Sequence, residues 1–88
     1  MMRILYSNLF KKKVAGLSPE VKKTLKAKLE RLVENPQHPS LRSKKIQGTD
    51  GIFEVSVTMG IRLTFQYMDD GAILLRNIGE HDKTLKKP

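Results

Sequence analysis

Hydrophobic residues recur with a helical period in the first half of the chain and with a period of two in the second half. The clearest predicted helix begins after Ser18, a favourable N-cap, and Pro19 suits its first position. Spacings of three and four residues give this helix one apolar face, made of Val21, Leu25, Leu29, Leu32 and Val33. The Asn35-Pro36 pair is expected to end the helix.

A strand and a shorter helix are predicted before this long helix. Residues 4–6 form an apolar run that indicates a short N-terminal strand. Ser7 can cap the following helix through its hydroxyl group, and Gly16 is expected to end that helix in a left-handed conformation. The segment 35–42 contains two prolines and is predicted to be a loop, in which His38 has an ordering role.

Two hairpins are predicted after the glycine-rich turn at 48–51. Apolar and polar residues alternate over 53–59 and again over 61–67, so each strand has one apolar face and one polar face. Gly60 marks the first hairpin turn, and residues 69–71 mark the second. This part of the chain therefore predicts an antiparallel meander.

Further strands are predicted on both sides of this alternating region. Residues 44–46 are expected to begin an edge strand. Residues 72–78 are apolar on both faces, which is typical of an interior strand covered on both sides. Gly79 is expected to release the chain into a polar tail over residues 80–88.

The order of these elements predicts one α+β domain over residues 1–88. An N-terminal strand and two helices are expected to pack on one face of a mainly antiparallel sheet of four or five strands. The other face then carries the polar side chains Glu54, Ser56, Thr58, Arg62, Thr64 and Gln66. If the turn at Gly60 places even-numbered residues of one strand opposite even-numbered residues of the other, Arg62 lies near Ser56 and Thr58 on this polar face.

The charge of the chain is strongly asymmetric. Its 88 residues include 17 Lys and Arg and 9 Asp and Glu, which gives a formal net charge of +8. Residues 1–45 hold 12 basic and 3 acidic side chains, whereas residues 46–88 hold 5 basic and 6 acidic ones. The asymmetry predicts a polyanionic partner, and nucleic acid is favoured over an anionic membrane surface.

Several classes of function are excluded by composition. The chain has no cysteine, which excludes disulfides, thiol catalysis and Cys-ligated zinc, and its two histidines are a weak signal for any metal site. No apolar run approaches the roughly 20 residues that span a bilayer, and residues 1–10 lack a signal-peptide core. We therefore expect a cytoplasmic protein with no membrane partner, no metal and no cofactor.

Four side chains of the polar face and the tail are candidates for chemistry. They are Glu54, Arg62, His81 and Asp82. This set is suited to metal-free RNA cleavage, in which the 2′-hydroxyl group attacks the adjacent phosphate. That reaction needs a base, an acid and cations, and a histidine can move a proton at cellular pH. The structural alternatives are an exposed tail histidine and an ion pair between Arg62 and a carboxylate.

Lysine-rich segments are candidates for contacts with the phosphate backbone of RNA. They comprise Lys11, Lys12, Lys13, Lys22, Lys23 and Lys26 on the predicted helices, and Lys44 and Lys45 before the sheet. Contacts of this kind bind phosphate without reading the base sequence. Solvated helix faces and a charged sheet edge are the structural alternatives.

The ordered set of segments resembles the RelE/ParE superfamily of bacterial toxins from toxin–antitoxin systems, and within it the RelE and YafQ-like mRNA interferases. The resemblance covers the helical pair, "NPQHPSLRSKKIQGTDGIFEVSV", "GIRLTFQY" and "LLRNIGEHDKTL". It implies a metal-independent endoribonuclease that cleaves mRNA in the ribosomal A site and inhibits translation. It also implies two partners, ribosomal RNA and an acidic cognate antitoxin that is encoded by an adjacent gene.

The resemblance also implies roles for individual residues. Arg62 in "GIRLTF" matches the arginine that family members use on the scissile phosphate. His81 in "IGEHD" matches the C-terminal histidine that YafQ-like members use as acid or base, and Glu54 lies near a YafQ-like acidic residue. The chain also departs from both patterns. RelE has lysines on the strand where this chain has Glu54 and Ser56, a second YafQ-like histidine would fall at Ser56, and no tyrosine follows in the tail.

Two other functions stay open at this point. ParE-like relatives bind DNA gyrase and do no chemistry, but they tend to have a longer helical hairpin and to lack ribonuclease residues such as His81. A non-catalytic RNA-binding module, or a degenerate toxin, would bind RNA in a salt-dependent manner without cleaving it.

Overall fold

The computed structural model describes residues 3–88 and contains one five-stranded sheet with three α-helices. The strands are β1 (Ile4–Tyr6), β2 (Lys44–Lys45), β3 (Ile52–Ser56), β4 (Ile61–Tyr67) and β5 (Ile73–Glu80). The helices are α1 (Asn8–Ala15), α2 (Pro19–Glu34) and α3 (His81–Lys86), and a short 3₁₀ helix spans Pro39–Leu41. The strand order is β1-β5-β4-β3-β2, in which β1 and β5 are parallel and the other neighbours antiparallel. The predicted α+β fold class is confirmed.

The hydrophobic core forms between the apolar face of the sheet and the helices. Leu63 and Phe65 of β4 are fully buried, and the apolar stripe of α2 contributes Leu25 and Leu32 to the same cluster. Phe10 of α1 is 1% exposed and joins them. Burial of each such side chain stabilises the fold by about 1.5–3 kcal/mol. This packing fixes which face of the sheet is left for polar side chains.

Serine caps begin both long helices, as the sequence predicts. The Ser7 hydroxyl accepts a hydrogen bond from the Phe10 N–H at 3.0 Å, and the Ser18 hydroxyl accepts one from the Val21 N–H at 3.2 Å. The predicted left-handed stop at Gly16 is wrong, because its φ is −88°. In this right-handed conformation the Gly16 N–H donates a hydrogen bond to the carbonyl of Lys13. One carbonyl of the last helical turn is therefore paired without a left-handed residue.

The loop before the sheet is more ordered than predicted. Residues 39–41 form the 3₁₀ helix, and His38 caps it because its Nδ1 accepts a hydrogen bond from the Ser40 N–H at 3.1 Å. Arg42 then adopts φ 49°, which reverses the chain toward β2. The expected ordering role of His38 is therefore confirmed.

The segment after Gly79, for which the sequence predicts only a polar tail, contains a helix. Strand β5 continues to Glu80, and α3 then folds back against β4 and β5. The carbonyl of Pro88 accepts hydrogen bonds from Thr64 Oγ1 at 3.0 Å and Arg76 Nε at 3.2 Å. The tail has almost no apolar stripe, so its docking depends on these polar contacts. Hydrophobic periodicity in the sequence does not reveal such contacts.

The close approach of α3 to β5 depends on Gly79. A Cβ atom at this position would lie 2.9 Å from Thr84 Oγ1, and Thr84 is buried. We expect Gly79→Ala to lower the free energy of unfolding by about 1–3 kcal/mol through overpacking, measured by urea unfolding. The double variant Gly79→Ala/Thr84→Ala removes the clashing hydroxyl and should recover part of the loss. Equal urea midpoints for Gly79→Ala and the wild type would contradict this account.

Candidate active site

The polar face of the sheet is organised by the register of three strands. Ser56 pairs with Arg62 and Glu54 with Thr64, so the Gly60 turn does pair residues of equal parity. Lys44 of β2 lies opposite Glu54. Directly opposed residues point to the same face of an antiparallel sheet, so Lys44, Glu54 and Arg62 share one surface.

The Arg62 side chain is held in place by the hairpin turn that precedes it. Its Nη1 donates to the carbonyls of Thr58 at 2.7 Å, Met59 at 3.1 Å and Ile61 at 3.2 Å. Its Nε lies 3.6 Å from Glu54 Oε1, and the Arg62 and Glu54 side chains are only 18% and 8% exposed. Among residues 3–88, Nη2 has no hydrogen-bond partner. The guanidinium is thus anchored on one side and retains a charged donor for an anion.

His81 lies against the same turn, although it is far from Arg62 in sequence. It is the first residue of α3, and its backbone N–H donates to the Gly60 carbonyl at 2.9 Å. Arg62 and His81 are therefore both fixed to the turn 58–61, one through its side chain and the other through its backbone. This shared attachment is the strongest link between the predicted site residues.

Asp82 orients the imidazole ring of His81. The His81 Nδ1 and Asp82 Oδ1 atoms are 3.0 Å apart, and the side chains are 44% and 80% exposed. When Asp82 accepts a hydrogen bond from Nδ1–H, the neutral ring presents Nε2 as a proton acceptor. The imidazole thus lies partly exposed at the start of α3, with one ring nitrogen next to a carboxylate.

The predicted phosphate-binding lysines are not gathered at this site. Lys44 is on the polar face, but Lys45 lies opposite Phe53 and points to the apolar side of the sheet. The other candidates are exposed on α1 and α2, at Lys11, Lys12, Lys13, Lys22, Lys23 and Lys26. Of these lysines, Lys44 alone belongs by register to the surface of Glu54 and Arg62.

A second arginine of the polar face was missed by the sequence analysis. Arg76 lies at an irregularity in the pairing of β4 with β5, where Thr64 pairs with Asn77 and Phe65 with Leu75. Its Nη1 donates to Gln66 Oε1 and its Nε to the Pro88 carbonyl. The available signal was a polar Arg76-Asn77 pair within an apolar strand, which marks a bulge or a functional position.

Two further features of the described chain bear on function. No group of three His, Asp or Glu side chains within residues 3–88 lies close enough together to hold a metal ion. None of the helices in this range is both long enough and apolar enough to cross a membrane.

The fold has counterparts among solved structures. YafQ from E. coli strain BL21(DE3) matches with a TM-score of 0.78 and 19% identity, over 96% of this chain and 98% of that one. The intact E. coli RelBE toxin–antitoxin complex contains a chain that matches with a TM-score of 0.74 and 20% identity, over 92% and 98%. The YoeB/ParE toxin from Agrobacterium tumefaciens matches with a TM-score of 0.77 and 9% identity, over 91% and 99%.

The solved structures confirm the expected RelE-like fold, and the similarity is one of structure rather than of sequence. No protein-family model matches the sequence, and no curated protein matches it. The chain thus has the fold of these toxins over nearly its whole length.

Proposed function

We propose that the protein is the toxin of a toxin–antitoxin system, a ribosome-dependent endoribonuclease that cleaves mRNA in the ribosomal A site and inhibits translation in the cytoplasm. The observation that supports this proposal most is the attachment of Arg62 and His81 to one turn, on the polar face of a RelE-like fold. Arg62 supplies a cation and His81 a candidate acid or base, which are two of the three components that phosphodiester cleavage without a metal needs.

The proposed reaction assigns a distinct role to each site residue. His81 Nε2 takes the proton of the 2′-hydroxyl, whose oxygen attacks the adjacent phosphorus. The P–O5′ bond breaks, the leaving O5′ takes a proton from solvent water, and the products are a 2′,3′-cyclic phosphate and a 5′-hydroxyl. His81 then returns the proton of the 2′-hydroxyl to solvent. Arg62 Nη2 stabilises the charge on the non-bridging oxygens. Glu54 and Asp82 act as positioning residues, for the guanidinium and the imidazole respectively.

Neighbouring lysines of β2 offer a matched test of the site's location. Lys44→Gln should lower the rate of mRNA cleavage on purified ribosomes about tenfold, because an exposed cation on the polar face contributes about 1.4 kcal/mol to transition-state binding. Lys45→Gln removes the same charge one residue away, on the opposite side of the sheet, and should leave the rate unchanged. Equal losses in the two variants would contradict the assignment of the polar face.

The proposed antitoxin fits a groove between the helices and β1. The groove has a volume of about 450 Å³ and an apolar lining that includes Tyr6, Val14 and Leu29, while Lys22 and Lys26 lie at its side. Tyr6 is 46% exposed, which is unusual for a residue so close to the core. An acidic segment with apolar anchors complements this surface, and the RelE neighbour was crystallised with its antitoxin. Co-expression of an adjacent acidic reading frame should relieve growth arrest.

A gyrase inhibitor is the second candidate, because one structural neighbour is named as a YoeB/ParE toxin. The two functions are separated by assaying one preparation in parallel. We expect purified protein to cleave a defined message on programmed ribosomes at substoichiometric amounts and to leave gyrase supercoiling unaffected. Inhibition of gyrase at equimolar protein, with the message intact, would replace the ribonuclease proposal by the ParE-like one.

A further inference from the structure

A cleft between α1 and α3 is lined by lysines from opposite ends of the sequence. Its volume is about 400 Å³, and its lining includes Leu9 and Lys13 of α1 together with Lys83, Lys86 and Lys87 of the tail. We infer that this cleft binds the phosphate backbone of the RNA substrate next to the cleaved bond. The inference rests on the proposed ribonuclease function and names a binding site for its substrate.

The charges of the cleft are not balanced within the protein. Lys83 and Lys86 are spaced i, i+3 on α3, which places like charges on one face of a short helix and opposes helix formation, and Lys87 follows as the C-cap. Within residues 3–88, Lys83 alone among the cleft lysines has an acidic neighbour, Glu80, at 3.9 Å between exposed side chains. Lys13, Lys83 and Lys86 lie in the last turns of α1 and α3, where the helix dipoles favour them, but the dipoles do not account for four lysines that converge from two helix ends. An external anion does account for them.

The backbone that presents these lysines is fixed. Asn77 Nδ2 donates to the carbonyl of Lys87 at 3.0 Å, and Thr84, between the lysines, is buried against Gly79. The ammonium groups therefore project from an anchored helix, so less ordering is required when a ligand binds.

The position of the cleft favours RNA over an acidic peptide. Helix α3 begins at His81 and has six residues, a length of about 9 Å, so the cleft lies within a few nucleotides of the proposed reacting phosphate. Leu9 is 46% exposed beside the lysines and offers an apolar contact for a base or a ribose. His81 and two of the cleft lysines, Lys83 and Lys86, belong to the same short helix.

The inference is tested by the salt dependence of binding to a single-stranded RNA. The probe is a fluorescein-labelled oligonucleotide of about 12 nucleotides with 2′-O-methyl groups, which cannot be cleaved, and fluorescence anisotropy gives Kd at several KCl concentrations. The test variant is Lys13→Gln/Lys86→Gln. The control is Arg31→Gln/Arg42→Gln, which removes two exposed charges outside the cleft. Circular dichroism confirms that each variant is folded.

Relative to the wild type, we expect the slope of log Kd against log salt to fall by about 1.4 in the cleft variant, since each lost phosphate contact lowers it by about 0.7. The slope should fall by much less in the control. Equal slopes in the two variants would overturn the inference. It is also overturned if the cleft variant binds RNA normally but loses affinity for a polyglutamate peptide. Because the probe is not cleavable, these results do not depend on catalysis. Failure of the proposed function would appear instead as uncleaved message on ribosomes.

Discussion

His81→Ala should reduce the rate of mRNA cleavage on programmed ribosomes by about 10²- to 10⁴-fold, the usual contribution of a positioned general acid or base. The loss arises because the proposed reaction uses Nε2 of His81 as its proton acceptor, at the turn that also anchors Arg62. The fold should be retained, since the residue is bound to the Gly60 carbonyl through its backbone N–H rather than its ring. In cells, the same variant should relieve growth arrest.

His38 provides a matched control for this experiment. It is the other histidine of the chain, and its ring caps the 3₁₀ helix through the Ser40 N–H. His38→Ala should cost about 1 kcal/mol of stability from the lost cap and leave the cleavage rate per folded molecule unchanged. If His38→Ala and His81→Ala reduce the rate equally, or if His81→Ala stays fully toxic, the assignment of His81 is wrong.

Arg62→Ala should affect both catalysis and stability. Loss of the anchored guanidinium should lower the cleavage rate by about 10²- to 10³-fold, as for other preorganised donors. The substitution also leaves the buried Glu54 carboxylate without its arginine partner, so we expect the free energy of unfolding to fall by about 2–4 kcal/mol. The measurements are single-turnover cleavage on ribosomes and urea unfolding.

A second substitution separates these two effects. Glu54→Gln/Arg62→Ala removes the uncompensated charge and should recover most of the lost stability while the cleavage rate stays low. Recovery of cleavage together with stability would show that Arg62 has a purely structural role. Arg62→Lys is informative as well, because a lysine keeps the charge but lacks the forked donors that reach the turn.

The helices and the central strands were predictable because their patterns are local. Period-two alternation places Glu54 and Arg62 on one face, and the parity of the Gly60 turn then makes Arg62 a neighbour of Ser56. Lys44 and Lys45 show the limit of this reasoning. Both are charged and exposed, and only the register of β2 against β3 decides that Lys44 faces Glu54 and Lys45 faces Phe53.

The tail could not be predicted, because its contacts are polar and distant in sequence. Thr64 and Asn77 bind the backbone of Lys87 and Pro88, and no hydrophobic period marks either partner. For the same reason, the sequence did not reveal that side chains from the basic half (residues 1–45) and from the near-neutral half (residues 46–88) line one cleft. Once α3 folds back, Lys86 of the near-neutral half lies beside Lys13 of the basic half. The charge asymmetry along the sequence therefore does not divide the folded surface into a basic part and a near-neutral part.

Mapping the 5′ ends of ribosome-bound mRNA before and after expression is induced tests the proposed cleavage in the A site. We expect new 5′-hydroxyl ends inside A-site codons, in the reading frame, within minutes of induction. These ends should be absent from cells that express His81→Ala. Growth arrest without new ends, or an identical set of ends with His81→Ala, would contradict this proposal.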